Sequence, residues 1–444
     1  MQQIKWGIIG PGSIATAFAH SIKNVANSKL ISVFGRNIEK AKNFANEFQI
    51  SSHNNLEDFI SSPDLDAVYI ATPHSEHFVF TLEAIKHGKH VLCEKPFTMN
   101  AYESMVLIDL AQTSKVFLME AFMYRTHPQT ANILNNLNFI SDCNKKILIE
   151  ASFGFQAEVP DDHRLRNPNL GGGAILDVGC YPLTMCKLIA GHLQGLPFAD
   201  PLNLKAEGML DETGVDLKSN AHLIFAGNIE AKISCAINEE LSNNLVISSN
   251  SKSITISEPW HCGQFQDGQS SIVLADSNGA HREIKVSDGV GLFAREIEHA
   301  ADSIINKDLE SHLISHADTQ SNMFWLDQWR EEIKIDCPKR SLHHSPILKS
   351  KAFLNQSACL ENIEIPGLNK LGSRLALGCD NQISDLHAFT MFDHFYGSGG
   401  RIFDTAYIYN NGMGDKYLGD WINSRSVIDD VIVLGKAAHT PHCE

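Results

Sequence analysis

Two stretches of the sequence carry side chains suited to acid–base chemistry. Glu94-Lys95-Pro96 directly follows a short apolar run, and Pro96 disfavours the helical region for Lys95. Asp177 and Tyr181 lie four residues apart in an apolar helical pattern, so they share one helix face. Lysine and tyrosine are both residue types used in proton transfer. The sequence therefore predicts a candidate site at these residues. The alternatives are a surface lysine and a buried Asp–Tyr hydrogen bond without chemistry.

A glycine-rich turn lies close to the N-terminus. Gly10-Pro11-Gly12-Ser13-Ile14-Ala15 follows a strand pattern and opens a helical one, which fits the G-x-G-x-x-G/A fingerprint of dinucleotide sites. The first glycine permits the tight turn, the second lets a pyrophosphate approach the backbone, and the alanine keeps helix and strand close. The helix N-terminus supplies N–H donors. The predicted contacts are Gly10, Gly12, Ser13 and Ile14. A glycine-rich turn without a ligand is the alternative.

The end of the second strand pattern bears on the choice of dinucleotide. NAD sites place Asp or Glu there to bind the ribose 2′-hydroxyl. This chain has Phe34-Gly35-Arg36 instead, and an arginine fork suits a 2′-phosphate. Arg36 therefore favours NADP over NAD, and a solvated arginine at a helix start is the alternative. Further cofactor contacts are predicted just after the next two strand patterns, at Thr72, Pro73, His77, Glu94 and Lys95.

The surrounding elements indicate two different domains. Up to about residue 122, continuous apolar strand patterns alternate with helical ones, which is typical of a parallel sheet covered on both faces. Between residues 204 and 256, several strand patterns alternate polar with apolar residues, which indicates an antiparallel sheet with one solvated face. The predicted fold is therefore α/β, with a Rossmann-type domain at 1–122. An α+β domain with a large antiparallel sheet follows at 123–335.

Composition excludes several classes of protein. A chain of 444 residues with 43% hydrophobic and 20% charged residues is typical of a globular protein of two or three domains. The net charge of -16, with no basic run, makes nucleic acid and anionic membranes poor partners. The ten cysteines form no C-x-x-C pair, and no histidine cluster has zinc spacing, so we expect no metal site and free thiols. With no signal peptide and no apolar run approaching ~18 residues, we expect a soluble cytoplasmic protein.

Five motifs, in order, resemble the Gfo/Idh/MocA oxidoreductases. They cover about residues 1–335 and read GIIGPGSIA, IATPHSEH, GKHVLCEKP, MEAFMYRTHPQ and LGGGAILDVGCYPL. Tyr181 stands where inositol dehydrogenases of the family have His, as in a subgroup of sugar and dihydrodiol dehydrogenases. The resemblance implies that Lys95 and Tyr181 are catalytic and that Asp177 supports the substrate. Arg125 and His127, just past a strand pattern at 116–119, are expected to line the substrate pocket.

The implied reaction transfers hydride between a nicotinamide cofactor and a sugar, polyol or dihydrodiol. Tyr181 would take the hydroxyl proton, or donate it in reduction. Its ordinary pKa is ~10, so Lys95 and the oxidised nicotinamide would have to stabilise the phenolate by about 4 kcal/mol. Asp177 would bind a sugar hydroxyl or orient Lys95. Two alternatives on this fold stay open: a cofactor-binding regulator, against which intact Lys95 and Tyr181 argue, and an NAD-dependent glycoside hydrolase. A homo-oligomer through the antiparallel sheet is also expected.

A third pattern follows a Pro-, Ser- and His-containing linker at 336–365. Residues 366–444 resemble the N-terminal part of an aldo/keto reductase, through LGSRLALG, GRIFDTAYIY and GDKYLG. The resemblance assigns Asp404, Tyr409 and Lys436 to three of that family's catalytic positions. A (β/α)₈ barrel typically needs ~250 residues, so we expect an incomplete barrel, either a fragment of a longer fusion or a truncated product, in which these three residues are vestigial.

Overall fold

A computed structural model describes most of the chain. It covers residues 3–140, 145–264, 268–335, 360–382 and 385–436. The chain divides into two compact units, Met1–Cys337 and Pro338–Glu444. Most of the predicted linker, at 336–359, lies outside the described residues.

The first domain of the larger unit is a parallel sheet flanked by helices. Its strands are β1 (Ile4–Ile9), β2 (Ser28–Phe34), β3 (Ser51–His53), β4 (Ala67–Ile70), β5 (His90–Glu94) and β6 (Leu118–Ala121). Its helices are α1 (Ser13–Ser21), α2 (Ile38–Phe48), α3 (Leu56–Ile60), α4 (His74–Lys86) and α5 (Ala101–Ser114). The strand order is β3-β2-β1-β4-β5-β6. The chain adds β2 and β3 on one side of β1, and then returns to add β4, β5 and β6 on the other side. In such sheets ligands bind at the carboxyl ends of the strands beside this reversal.

The central strands explain why the sequence reveals this domain. Ile8 and Ile9 in β1, and Val68 and Ile70 in β4, are all fully buried. A strand covered by helices on both faces needs such a continuous apolar run. The predicted Rossmann-type parallel sheet is therefore confirmed.

The second domain is built on an eight-stranded sheet. Its strands are β7 (Ile147–Gly154), β8 (Asn203–Leu210), β9 (Asp216–Phe225), β10 (Ile229–Ala236), β11 (Leu245–Ser249), β12 (Lys252–Ile256), β13 (Gln269–Asp276) and β14 (His281–Ser287). Its helices are α6 (Met123–Thr126), α7 (Pro128–Asn135), α8 (Cys180–Leu193), α9 (Leu292–Asn306) and α10 (His316–Glu332). The strand order is β14-β13-β12-β11-β7-β10-β9-β8.

This sheet is mixed, so the expectation of a purely antiparallel sheet is wrong for one pair of strands. β10 pairs with β7 in parallel, with Ile229 opposite Ile147, while the other pairs are antiparallel. The chain leaves β7, crosses through α8, and returns by the β8–β9–β10 meander. β10 therefore arrives beside β7 running in the same direction.

The segment that contains α8 corrects the expectation that no apolar run approaches the length of a membrane helix. Pro168–Leu193 is long and apolar enough to cross a membrane by length and composition alone. The apolar window of this segment is 100% buried inside the molecule, as in the core helix of a folded domain. Asp177, Thr184 and Lys187 interrupt the apolar run in the sequence, yet all three are buried in the fold.

The described residues of the smaller unit form two small sheets. A two-stranded antiparallel sheet pairs β15 (Asn362–Glu364) with β16 (Leu371–Ser373). A parallel sheet contains β17 (Ala376–Gly378), β18 (Ile402–Ala406) and β19 (Ile432–Lys436), with α11 (Asp385–Gly397) and α12 (Met413–Arg425) between them in sequence. Phe392, Phe403 and Trp421 meet in its core, with ring centroids 5.1–5.6 Å apart.

Candidate active site

The glycine turn lies at the carboxyl end of β1 and leaves room for a ligand. Gly10 has φ +96°, and a Cβ there would lie 2.9 Å from the carbonyl oxygen of Ala71, so only glycine fits. A Cβ on Gly12 would meet no described atom within 4 Å. Gly12 precedes α1, whose first N–H groups have no side-chain cap among the described residues. Open space before uncapped donors fits a dinucleotide pyrophosphate.

Arg36 lies beside the same turn and has a carboxylate near it. A Cβ on Gly35 would lie 3.0 Å from the ring of Pro11, so the chain after β2 packs against the turn. The exposed guanidinium Nη1 of Arg36 is 3.7 Å from Oε2 of Glu76, in the first turn of α4. The residues directly after β2, Gly35 to Asn37, include no acidic residue. The fold brings one from the first turn of α4.

His77 holds two loops together at the carboxyl edge of the sheet. Its buried ring places Nε2 3.0 Å from the carbonyl oxygen of Thr72 and Nδ1 2.9 Å from that of Pro96. Burial lowers the pKa of His77 to about 4, so the ring is neutral at pH 7 and donates one N–H. This predicted cofactor contact is thus engaged by the protein's own backbone.

Lys95, Asp177 and Tyr181 come together next to these loops. Lys95 Nζ donates a hydrogen bond of 2.7 Å to the main-chain oxygen of Asp177 and lies 3.8 Å from its carboxylate Oδ1. The same Nζ is 5.2 Å from the ring centroid of Tyr181. Asp177 sits in a π-helical turn, Ile175–Gly179, directly before α8. Such turns are frequent at functional sites.

Two residues that the sequence did not single out complete the charge environment of Asp177. Its Oδ1 accepts a hydrogen bond of 2.8 Å from Nη1 of Arg164 and lies 3.9 Å from Nε2 of His74. Burial opposes ionisation, but Lys95, Arg164 and His74 outweigh it and lower the pKa of Asp177 to about 2. The carboxylate is therefore charged at neutral pH. His74 lies within the motif IATPHSEH, whereas Arg164 belongs to a loop without periodicity, where no pattern could reveal it.

The ring of Tyr181 is packed among aromatic side chains. Ring centroids 5.1–6.0 Å away belong to Phe122, Tyr124, Phe153 and Trp260. Its hydroxyl has no hydrogen-bond partner among the described residues. Burial, followed by the charge of Glu94, raises the pKa of Tyr181 well above its ordinary value. The protein alone therefore keeps Tyr181 protonated, and a phenolate needs positive charge from elsewhere.

Glu94 fixes the end of β5. The hydroxyl of Tyr69 donates to its Oε1 at 2.5 Å, and the backbone N–H of Lys95 donates to its Oε2 at 3.2 Å. Burial raises the pKa of Glu94. The carboxylate thus anchors the residue that precedes Lys95.

Arg125 and His127 make their contacts away from Lys95. Arg125 Nη2 donates to Oδ2 of Asp318 at 2.9 Å, and its side chain is 3% exposed. His127 Nε2 lies 3.6 Å from Oδ2 of the buried Asp288. These contacts connect the start of the second domain to its later helices and loops. The structure does not bring either side chain to the Lys95 cluster.

Within the described ranges, no group of three or more His, Cys, Asp or Glu residues could hold a metal ion.

The smaller unit has a charged cluster of its own. Lys436 Nζ donates to Oδ2 of Asp404 at 2.7 Å and to the hydroxyl of Tyr409 at 2.5 Å. These hydrogen bonds raise the pKa of Lys436. The three residues singled out in the C-terminal sequence are therefore adjacent in space.

The lowered pKa of Asp177 predicts a pH-dependent stability. A folded-state pKa of about 2, below the unfolded value of about 3.9, means that the carboxylate stabilises the fold above pH 4. That contribution disappears as the pH falls towards 2. We expect Asp177→Asn to lower the free energy of unfolding by about 2 kcal/mol at pH 7, and by progressively less below pH 4. Urea unfolding of both proteins across this range measures the difference, and a difference independent of pH would contradict the assignment.

Known proteins resemble this chain in sequence. Residues 4–122 match the Gfo/Idh/MocA family, described as an oxidoreductase family with an NAD-binding Rossmann fold. Trans-1,2-dihydrobenzene-1,2-diol dehydrogenase of Xenopus tropicalis is 30% identical over 350 residues, which cover 75% of this chain and 99% of that protein. D-xylose 1-dehydrogenase (NADP(+)) of Hypocrea jecorina is 34% identical over 214 residues, 43% of this chain and 54% of the relative.

A solved structure shares the fold. KijD10, a 3-ketoreductase from Actinomadura kijaniata in complex with NADP and TDP-benzene, superimposes with a TM-score of 0.65 at 21% identity. The match covers 74% of this chain and 98% of KijD10. On the sequence match to a full-length relative and to the family's Rossmann domain, this chain belongs to the Gfo/Idh/MocA family of NAD(P)-binding oxidoreductases.

Proposed function

We propose that the larger unit catalyses NADP-dependent hydride transfer to or from a carbon bearing a hydroxyl or carbonyl group of a sugar-like or dihydrodiol substrate. The observation that carries the proposal is the cluster of Lys95, Asp177 and Tyr181 beside the loops that follow β4 and β5. The nicotinamide, when bound, accepts or supplies the hydride. The chain's own residues then have to handle the proton on the substrate oxygen.

Tyr181 is the proposed proton carrier. In reduction its hydroxyl donates a proton to the substrate carbonyl oxygen as hydride reaches the carbon, and the C=O bond becomes CH–OH. In oxidation the phenolate takes the hydroxyl proton as hydride leaves the same carbon. Lys95 Nζ, 5.2 Å from the Tyr181 ring, stabilises the phenolate electrostatically. Since Tyr181 is protonated in the protein alone, oxidation also relies on the positive charge of the oxidised nicotinamide.

Asp177 and the aromatic residues suit a polyhydroxylated substrate. The ionised carboxylate accepts hydrogen bonds from hydroxyl groups and holds Lys95 in place. Phe153 and Trp260 stack on each other and pack against Tyr181, so the surroundings of its ring are apolar, which suits the C–H groups of a sugar or a dihydrodiol ring. The names of the relatives, a dihydrodiol dehydrogenase and a xylose dehydrogenase, support the same substrate classes.

The proposal is tested by a turnover screen. The full chain is incubated with NADP or NAD and a panel of aldoses, polyols and dihydrodiols, and reduced nicotinamide is followed by absorbance. We expect turnover with members of these classes and higher kcat/KM with NADP. Binding of cofactor without turnover on the whole panel would favour a cofactor-binding regulator instead.

The preference for NADP predicts the effect of removing Arg36. We expect Arg36→Ala to weaken NADP binding at least ~10-fold, the scale of a lost hydrogen bond to a charged group, because only NADP carries the 2′-phosphate. NAD binding should change less than about twofold, because NAD has no 2′-phosphate and Arg36 is an exposed charge. Titration of each cofactor by calorimetry measures both. Lys42→Ala, which removes an exposed cation of α2, is the matched control. Equal losses for NADP and NAD in Arg36→Ala would contradict the role.

We propose that the smaller unit, in the residues given, corresponds to the N-terminal part of an aldo/keto reductase barrel and has no turnover by these residues alone. Its described parallel sheet has strands β17, β18 and β19 with helices between them, too few to close a barrel. The contact of Lys436 with Asp404 and Tyr409 supports the family resemblance. Titration of the full chain with NADPH should then saturate at one cofactor per chain. Two per chain would contradict the proposal.

Removal of the smaller unit is expected to leave the proposed activity intact. Met1–Cys337 is a compact unit by itself, and the residues proposed for cofactor and catalysis lie within it. A chain shortened to end at Asp336 should keep kcat within about twofold. Steady-state kinetics and thermal unfolding measure this. An insoluble or inactive shortened chain would show that the smaller unit is an integral part of the enzyme.

Self-association and location are also proposed. Met209 on β8 and Ile224 on β9 lie on one face of the sheet and are 54% and 38% exposed, which supports a homo-oligomer through this sheet. Sedimentation velocity of the full chain tests it.

A cytoplasmic location is supported by free thiols. The described cysteines are all free: Cys93, Cys180, Cys186, Cys235, Cys262 and Cys379.

A further inference from the structure

Arg36 and Glu76 flank the glycine turn from opposite sides. β2 and β4 are the two neighbours of β1 in the sheet. Gly35 packs on Pro11, so the loop after β2 touches the turn on one side. A Cβ on Gly10 would lie 2.9 Å from the carbonyl oxygen of Ala71, so the chain after β4 lies against the turn on the other side. Side chains from the loop after β2 and from the start of α4 can therefore meet in front of the turn.

The side chain of Glu76 reaches across this space. Its backbone N–H bonds to the carbonyl of Pro73, which closes the first turn of α4. An acidic residue in a first helical turn is favoured by the helix dipole, which explains the residue type without a ligand. The dipole does not explain the direction of the side chain. Oε2 lies 3.7 Å from Nη1 of Arg36, a residue that is 67% exposed, while Glu76 is 23% exposed.

We propose that Glu76 sets the balance between NADP and NAD at this site. The inference rests on the proposed function, since it takes Arg36 as the partner of the 2′-phosphate. A 2′-phosphate would have to compete with the Glu76 carboxylate for Arg36 and would be repelled by its charge. An unphosphorylated ribose instead offers hydroxyl donors to the same carboxylate. Glu76 thereby supplies from α4 the acidic group that is absent after β2, and the protein accepts both cofactors.

The experiment compares the binding of two reduced cofactors. Dissociation constants of NADPH and NADH are measured by nicotinamide fluorescence on the full chain, for the wild type, Glu76→Gln and Glu57→Gln. Glu57 is a matched control: it is a first-turn glutamate of α3, and it lies near His87, at the opposite end of α4. We expect Glu76→Gln to shift the ratio of the two constants about fivefold towards NADPH, the scale of one exposed charge interaction. Glu57→Gln should leave the ratio unchanged.

Two further arms separate charge from structure. Glu76→Asp keeps the charge but retracts it from Arg36, so its ratio should fall between those of the wild type and Glu76→Gln. High salt should reduce the change that Glu76→Gln causes in the ratio of the two dissociation constants, because salt screens exposed charges.

A ratio unchanged in Glu76→Gln, or equal losses for both cofactors, would overturn the inference and leave Glu76 as a helix-terminal acid only. A wild type that binds neither cofactor would overturn the proposed function itself, which is a different result.

Discussion

Tyr181→Phe is expected to lower kcat at least ~10²-fold, the scale of lost general acid–base catalysis. The substitution removes only the hydroxyl, which has no hydrogen-bond partner among the described residues, so it should leave the fold and cofactor binding intact. Steady-state kinetics give kcat, and titration with NADPH gives the dissociation constant. The expected result is a large loss of kcat with an unchanged dissociation constant.

Tyr124→Phe is the matched control for this variant. Its ring lies 5.8 Å from that of Tyr181, and its hydroxyl is 2.6 Å from Oγ1 of Thr184. Losing that buried hydrogen bond should lower the free energy of unfolding by about 1 kcal/mol and change kcat little. If Tyr181→Phe kept near-full turnover, Tyr181 would be a packing residue and the proposed proton transfer would be wrong.

Lys95→Ala is also expected to lower kcat at least ~10²-fold, because it removes a positive charge near Tyr181. In the proposed mechanism Lys95, whose Nζ lies 5.2 Å from the Tyr181 ring centroid, stabilises the phenolate, while burial and Glu94 oppose the anion. Without Lys95, oxidation should need a higher pH, so the rising limb of the pH–rate profile should move to higher pH. Kinetics as a function of pH measure both the loss and the shift.

Lys86→Ala is the control for the loss of a lysine in the same domain. Lys86 lies in the last turn of α4 and pairs with Glu83, at 2.9 Å. It should leave the pH–rate profile unchanged. A Lys95→Ala variant with a lower kcat but an unmoved profile would show that Lys95 positions other groups and does not stabilise the phenolate.

The sequence predicts the parts of this fold that local patterns determine. β1 and β4 are buried on both faces, so their apolar runs stand out, and the glycine turn reveals itself because only glycine fits at Gly10. The parallel pairing of β7 with β10 is set by a long crossover, which no local pattern encodes. The same holds for the burial of Lys187, whose charge is met by Asn322 and Asp318 from α10.

The candidate site divides in the same way. Lys95, Asp177 and Tyr181 belong to short motifs, and the structure brings them together. Arg164 and Glu76 act on residues distant in sequence, so their contacts with Asp177 and Arg36 appear only in three dimensions. The high pKa of Tyr181 also depends on burial, which composition does not report. Charge interactions between residues distant in sequence therefore could not be predicted from the sequence alone.

An isotope experiment tests hydride transfer by the Lys95–Tyr181 site. An aldose with deuterium at its anomeric carbon is incubated with NADP and the full chain, and the cofactor is analysed by mass spectrometry. We expect deuterium to appear in NADPH, and Tyr181→Phe to lower the rate of transfer at least ~10²-fold although it binds NADP. Deuterium that stays on every aldose the protein binds, or transfer that continues unchanged in Tyr181→Phe, would show that this site does not transfer hydride with Tyr181 as the proton carrier.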